Sequence, residues 1–141
     1  MRHKGSFFTF LLLAAFASAK TYRLSPSDNW FDLLHGNGLR AGDEVILGAG
    51  TYSNGRMLEL SHVGTKQKPI VIRAADKARV VFHRPDARQN TFNLAGTQHL
   101  TVKGLEITGG STAIRIYKQG SRMAKFVTLE ALHVHHVGGP A

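Results

Sequence analysis

From Ala41 onward, apolar and polar residues alternate in short runs and do not recur every three or four positions. Examples are Glu44-Val45-Ile46-Leu47, Met57-Leu58-Glu59-Leu60, Pro69-Ile70-Val71-Ile72, Arg79 to His83 and Thr91-Phe92-Asn93-Leu94, with further runs as far as Val137. Each predicts a short strand with one face turned inward. Turn chemistry separates them, as at Gly48-Ala49-Gly50, Asn54-Gly55, Gly109-Gly110 and Gly138-Gly139-Pro140. Pro26 to Leu39 is the exception: Ser27 or Asp28 is placed to cap a short helix carrying Trp30, Phe31, Leu33 and Leu34.

The strands repeat. Leu100-Thr101-Val102-Lys103-Gly104-Leu105-Glu106-Ile107 superimposes without a gap on Val127-Thr128-Leu129-Glu130-Ala131-Leu132-His133-Val134, an offset of 27 that places apolar on apolar at all four inward positions. Ile70 and Ile72 align with Leu100 and Val102, Val80 and Phe82 with Leu105 and Ile107, and a third series runs Leu58/Leu60, Phe92/Leu94, Ile114/Ile116. Three strand series in fixed order describe a three-sided coil. One turn of it cannot bury its own inward residues, but stacked turns line them into a continuous core. The expected fold is therefore all-β, a parallel β-helix (solenoid) that is right-handed by the usual chirality of parallel connections, with the short helix capping its open end. An antiparallel sandwich also supplies many short strands, but it does not require a gapless repeat.

The domain reading is a signal peptide over residues 1–19, an N-terminal cap over 20–40 and an incomplete β-helix over 41–141. A basic start (Arg2, His3, Lys4), an apolar run from Phe7 to Phe16 and the small-residue triplet Ala17-Ser18-Ala19 make the signal, which predicts a secreted or periplasmic protein that keeps no membrane segment after cleavage. At the other end Gly138-Gly139-Pro140-Ala141 stands where the preceding turn goes on to its Ile114-Arg115-Ile116 strand, and the expectation is a truncated chain.

Charge narrows the choice of partners. The 18 Lys and Arg fall to 16 if Arg2 and Lys4 leave with the signal, against 9 acidic residues. A basic exported protein favours an anionic polysaccharide (polyuronate or glycosaminoglycan) over nucleic acid, although dispersed Lys and Arg also keep a repetitive sheet soluble. There is no cysteine, which excludes disulfides, thiol chemistry and thiolate metal sites.

Three segments carry a family resemblance. Gly42-Asp43-Glu44-Val45-Ile46-Leu47-Gly48-Ala49-Gly50-Thr51-Tyr52 resembles the GD-x-(I/V)-x-L-x-x-G-x-Y segment of the pectate-lyase-like superfamily of right-handed parallel β-helix proteins. Gly64 to Ala74 resembles the GT-x-x-KPI-x-I-x-A segment that follows it there, and Leu100 to Ile107 the recurring coil strand. The combination is most similar to family six of the polysaccharide lyases, the alginate lyase and chondroitinase B group, and to uncharacterised exported β-helix proteins. The resemblance implies a Lys base and an Arg acid beside acidic Ca²⁺ ligands in later coils than this chain reaches. No catalytic residue is assigned to it, and no cofactor is expected within these residues.

Stacking places outward side chains in columns. Glu59, Asn93 and Arg115 share one, with Ser61, Ala95 and Tyr117 beside it; Arg73, Lys103 and Glu130 share another. Arg offers a planar fork to a sugar carboxylate and Tyr a face to a sugar ring, so Arg115, Lys103, Tyr117, Arg73, Asn93 and Glu59 are the candidate substrate contacts. A polar ladder that satisfies itself is the competing reading, with Glu130 simply the counterion of its column. His83, Thr108 and His135 form a third column, with His133 pointing the same way as His135. These histidines are candidate Zn²⁺ or Cu²⁺ ligands that lack an evident carboxylate partner, while His136 reads as a turn residue. Lys118, Arg122 and Lys125 form a basic loop. Three functions follow: an exported β-helix that binds, and in a complete protein cleaves, an anionic polysaccharide by β-elimination; a non-enzymatic cell-surface or adhesion solenoid; and a periplasmic metal-handling β-helix.

Overall fold

The computed structural model describes residues 17–138, and every pairing between its named strands is parallel. Strand β1 (Thr21–Leu24) is followed by α1 (Trp30–Leu34). Three full turns come next: β2 (Glu44–Leu47), β3 (Gly50–Ser53) and β4 (Glu59–Leu60); β5 (Ile70–Ala74), β6 (Val80–Arg84) and β7 (Phe92–Ala95); β8 (Gln98–Lys103), β9 (Glu106–Gly109) and β10 (Ile114–Tyr117). A further partial turn has β11 (Lys125–Glu130) and β12 (His133–His135). The strands form three sheets, ordered β1-β2-β5-β8-β11, β3-β6-β9-β12 and β4-β7-β10. The parallel solenoid and its three strand series are thus as the repeat requires, and the antiparallel sandwich is excluded. The expected signal segment lies almost wholly outside the described residues. Among those residues no helix is long and apolar enough to cross a membrane.

Register explains why the coil closes on an apolar core. Val45, Ile72 and Val102 are stacked in the first sheet, Tyr52, Phe82 and Ile107 in the second, and Leu60 and Leu94 in the third, all of them buried. The repeat offset of 27 is met residue for residue, with Val127 on Leu100, Leu129 on Val102 and Val134 on Ile107. The same stacks run out at the last turn, where Ile116, Leu129 and Val134 are 48%, 41% and 47% exposed.

Two features of residues 20–40 differ from expectation. Thr21 to Leu24 form a strand of the first sheet, paired with Glu44 to Leu47, so the coil starts before Ala41. Asp43 makes that possible: its buried carboxylate accepts hydrogen bonds from the backbone N–H groups of Lys20 (2.8 Å) and Arg40 (2.9 Å). Neither Ser27 nor Asp28 caps α1. Asn29 occupies the N-cap position without a side-chain cap hydrogen bond, while Asp28 Oδ2 is taken by the Ser25 amide and hydroxyl in a local turn. The helix is held by packing, as five residues require. Trp30 meets Tyr52 and Phe82 edge-on, at ring centroid distances of 5.4 and 5.6 Å, over the end of the aromatic stack.

Buried polar groups tie successive turns together. Arg84, 3% exposed, donates from Nη1 to Asn54 O (2.7 Å) and from Nε to Asn90 O (3.2 Å), and Thr97 donates to Leu60 O (2.6 Å). Gly109, at φ +78°, lies so close to the Arg84 carbonyl that a Cβ would stand 2.3 Å from its oxygen, which reserves this position for glycine. His62 is fully buried. Its Nε2–H donates to Leu34 O (2.8 Å) while Nδ1 accepts from Leu39 N (3.3 Å), a pattern that needs the neutral imidazole.

Burial lowers His62 from 6.5 to about 4, so between those values the unfolded chain binds a proton that the folded chain refuses. Stability is expected to fall as pH drops through that window, by about 3 kcal/mol once below it. Urea melts of the parent and of His62→Gln test this: the variant loses this part of the slope, and a parent profile flat from pH 6.5 to 4 would refute the assignment. Ile107→Ala, which opens a cavity in a fully buried stack, is expected to cost about 2–5 kcal/mol in the same melts.

Candidate functional site

The outward faces carry the polar side chains, and the ladder decides which of them meet. In the third sheet Asn93 pairs with Glu59 on one side and Arg115 on the other, and Tyr117 pairs with Ala95, as the column reading requires. Ala95 is small, and the Tyr117 hydroxyl reaches back across it to donate to Glu59 Oε2 at 2.5 Å. The Arg115 guanidinium lies over the Tyr117 ring, 5.1 Å from its centroid. The Glu59 carboxylate raises the Tyr117 phenol, first through this hydrogen bond and then with the help of burial, so the residue is a neutral donor and stacking surface at neutral pH. Among the described residues Arg115 belongs to no ion pair, and it is exposed.

Asn93 does not offer itself to solvent as an outward column residue would. It is 2% exposed and its Oδ1 accepts from Asn90 Nδ2 (2.8 Å) in the connection that leads into its strand. The basic loop also differs from expectation. Lys125 opens β11, and Arg122 turns back onto the coil, donating to Gly96 O (2.8 Å) and Ser61 O (3.1 Å). Of the three, Lys118 alone remains an exposed loop cation. Arg122 therefore clasps the Gln119–Arg122 turn to two earlier turns, its guanidinium engaged by carbonyl oxygens and by the Gln119 amide.

The second column carries its own counterions. Arg73 and Lys103 are register partners, but Arg73 Nε binds Glu44 Oε1 at 2.6 Å, with Asp76 at 3.5 Å from Nη1, and Lys103 Nζ binds Glu130 Oε1 at 2.8 Å. The repulsion expected between two stacked cations is thus relieved within the chain. These surface pairs hold together weakly and leave both cations able to exchange partners.

The histidine column forms as expected, with His83 and His135 both paired to Thr108, and the column beside it supplies a carboxylate. Glu106 lies directly opposite His133 and shares the outward face with Thr108. Its Oε1 is 2.6 Å from His135 Nε2, and Arg79 grips both of its oxygens, at 2.8 and 2.9 Å. The signal is present in the repeat: the offset of 27 that aligns Ile107 with Val134 also aligns Glu106 with His133. His136 does occupy a turn, at φ +49°.

Replacing Glu59 by Gln is expected to lower the ionisation midpoint of Tyr117 towards the ordinary tyrosine range, read from its ring Cζ resonance during an alkaline titration. An unchanged midpoint would mean that the carboxylate does not hold the phenol proton.

Comparison with known proteins agrees with this architecture. The chondroitinase B family model matches residues 36–132. A solved structure described as a mannuronic acid specific polysaccharide family 6 lyase from human gut microbiota superposes with a TM-score of 0.66 at 25% identity, over 80% of this chain and 26% of that one. The chain thus spans about a quarter of that lyase's length. No curated protein matches. A family match over most of the chain, on a parallel coil whose register agrees with its repeat, identifies this polysaccharide-lyase-like β-helix as a member of the chondroitinase B family.

Proposed function

We propose that this protein is exported and binds an anionic polysaccharide along the outward face that carries Arg115 and Tyr117, and that in a complete protein the bound chain is cleaved by β-elimination. The observation that carries the binding reading is Arg115: an exposed guanidinium with no carboxylate partner among the described residues, beside an aromatic ring, in a chain of the chondroitinase B family. A uronate or sulfated sugar supplies the missing anion, and the planar fork suits a carboxylate in particular. Tyr117 adds a ring edge and a phenol already oriented by Glu59. Arg73 and Lys103 would join through exchange of their surface carboxylates for those of the glycan.

In β-elimination at a uronate, a cation neutralises the carboxylate and so acidifies the adjacent ring proton. A base removes that proton, and the electron pair forms the ring double bond as the glycosidic C–O bond breaks and an acid protonates the leaving oxygen. The residues of this coil supply binding charge. Neither Tyr117, held neutral by Glu59, nor the ion-paired Lys103 is set up as the base. Ca²⁺ is proposed for the complete protein only, where acidic ligands in further coils would hold it.

A specific observation also supports the non-enzymatic surface solenoid: the Arg73/Lys103 column is neutralised by this chain's own carboxylates. The two readings separate experimentally. Arg115→Ala is expected to weaken binding of alginate or chondroitin sulfate oligosaccharides about 10- to 100-fold, with a smaller loss for Lys103→Ala. Unchanged affinity in both variants would remove the proposed face. Incubation of a complete protein with alginate, chondroitin and polygalacturonate should produce the ultraviolet absorbance of unsaturated ends. Binding without that absorbance would leave the adhesion reading in place of the lyase.

A further inference from the structure

We propose that Glu106, His133 and His135 form a binding site for a divalent transition-metal ion of the Zn²⁺ class on the outward face of the second sheet. The site is separate from the glycan face and does not depend on it. It is made by two strands: His133 and His135 are two apart on β12 and so point to one side, and Glu106 on β9 is the register partner of His133. Their ligand atoms all lie within 4.8 Å of one another. Zn²⁺ binds imidazole nitrogen and carboxylate oxygen at about 2.0–2.2 Å, which puts tetrahedral neighbours about 3.4 Å apart. The 2.6 Å pair must therefore open, and the wider pairs close, by amounts that side-chain rotation supplies. His133 is exposed and free to make that rotation.

The groups around the three ligands fit such a role. A ring nitrogen and a carboxylate oxygen 2.6 Å apart form a close hydrogen bond, which coordination of both atoms to a metal ion would replace. His135 Nδ1 is engaged by His136 Nδ1 at 2.6 Å, which turns Nε2, the other nitrogen, towards Glu106. This second contact selects the ligating nitrogen, as partners of metal-bound histidines commonly do. Arg79 orients the carboxylate through hydrogen bonds to both of its oxygens. The repulsion Arg79 exerts on a cation is reduced by solvent, since its side chain is 78% exposed.

Two imidazoles with one carboxylate select a borderline ion over a hard one. Ca²⁺ takes six to eight oxygens, which this site does not offer, whereas a three-ligand site with water in the fourth position suits Zn²⁺ and also accepts Cu²⁺ or Ni²⁺. His83 belongs to the same column but stands on β6, one strand beyond β9, and is not a ligand.

Calorimetric titration of the full chain with ZnCl₂ is expected to show one ion bound per chain, no matching heat with CaCl₂, and at least about a tenfold loss of affinity in each of His133→Ala, His135→Ala and Glu106→Gln. His83→Ala should bind as the parent does. In the unmutated chain, the imidazole resonances of His133 and His135 should shift first on adding Zn²⁺, and those of His62, whose two nitrogens are already bonded in the interior, should stay in place. Absence of one-to-one Zn²⁺ uptake, uptake undiminished in both histidine variants, or shifts centred on other histidines would each overturn the site. None of these results bears on glycan binding, which is read separately through Arg115.

Discussion

Everything in this molecule depends on parallel strands stacking in register with their equivalents in neighbouring turns. A single turn contributes only one to three inward residues per strand, too few to bury themselves. Val45 is covered only because Ile72 lies on it, and Ile72 because Val102 follows. The backbone ladder and the hydrophobic stack impose the same constraint: a slip of one residue would unpair no backbone group in principle, yet it would turn Val102 outward and Lys103 into the core. Arg84, Thr97 and His62 add to this by bonding carbonyls of earlier turns, so polar groups in the interior also favour one register.

The same register sets the surface chemistry. Because side chains alternate, every strand that presents an apolar residue to the core presents its neighbour to solvent, in line with the equivalents above and below. Opposite charges in such a line neutralise each other, as Lys103 and Glu130 do, and the diagonal pair Glu44 and Arg73 does the same across neighbouring lines. Residues left over become the chemically available ones. Arg115 is left over because its neighbours along the column are a buried amide bonded to Asn90 and a carboxylate already committed to Tyr117. At the other face, Glu106 concentrates Arg79 and two histidines around one carboxylate. The coil thus separates a cationic aromatic face from an imidazole-carboxylate face without any specialised loop.

Much of this is legible in the linear chain, and the reason is periodicity. The offset of 27, the three strand series and the column memberships depend only on side chains alternating and turns being equal in length, and a sequence displays both. Where turn length varies, the pattern weakens. Capping chemistry alone points to Ser27 or Asp28, whereas a local Ser25 turn consumes Asp28, and β1 escapes notice because a lone strand has no repeat to reveal it. Alternation puts Asn93 among the outward residues, but its burial and its bond to Asn90 are not written in its strand. Glu106 is a different case, since the repeat itself places this carboxylate opposite His133 and only its partnership with His135 and Arg79 needs three dimensions.

By itself, then, the sequence determined the solenoid, its register and which residues share a face, since these follow from the period of the hydrophobic pattern and the fixed geometry of a strand. Only the tertiary structure decided which of those residues are free. Whether Arg122 reaches solvent or clasps Ser61 and Gly96, whether Lys103 keeps Glu130, and whether the Tyr117 phenol spans Ala95 to Glu59 depend on connections of unequal length and on long side chains choosing among nearby partners. Those choices are made by distances of a few ångströms between residues dozens of positions apart, and the pattern along a single strand carries no record of them.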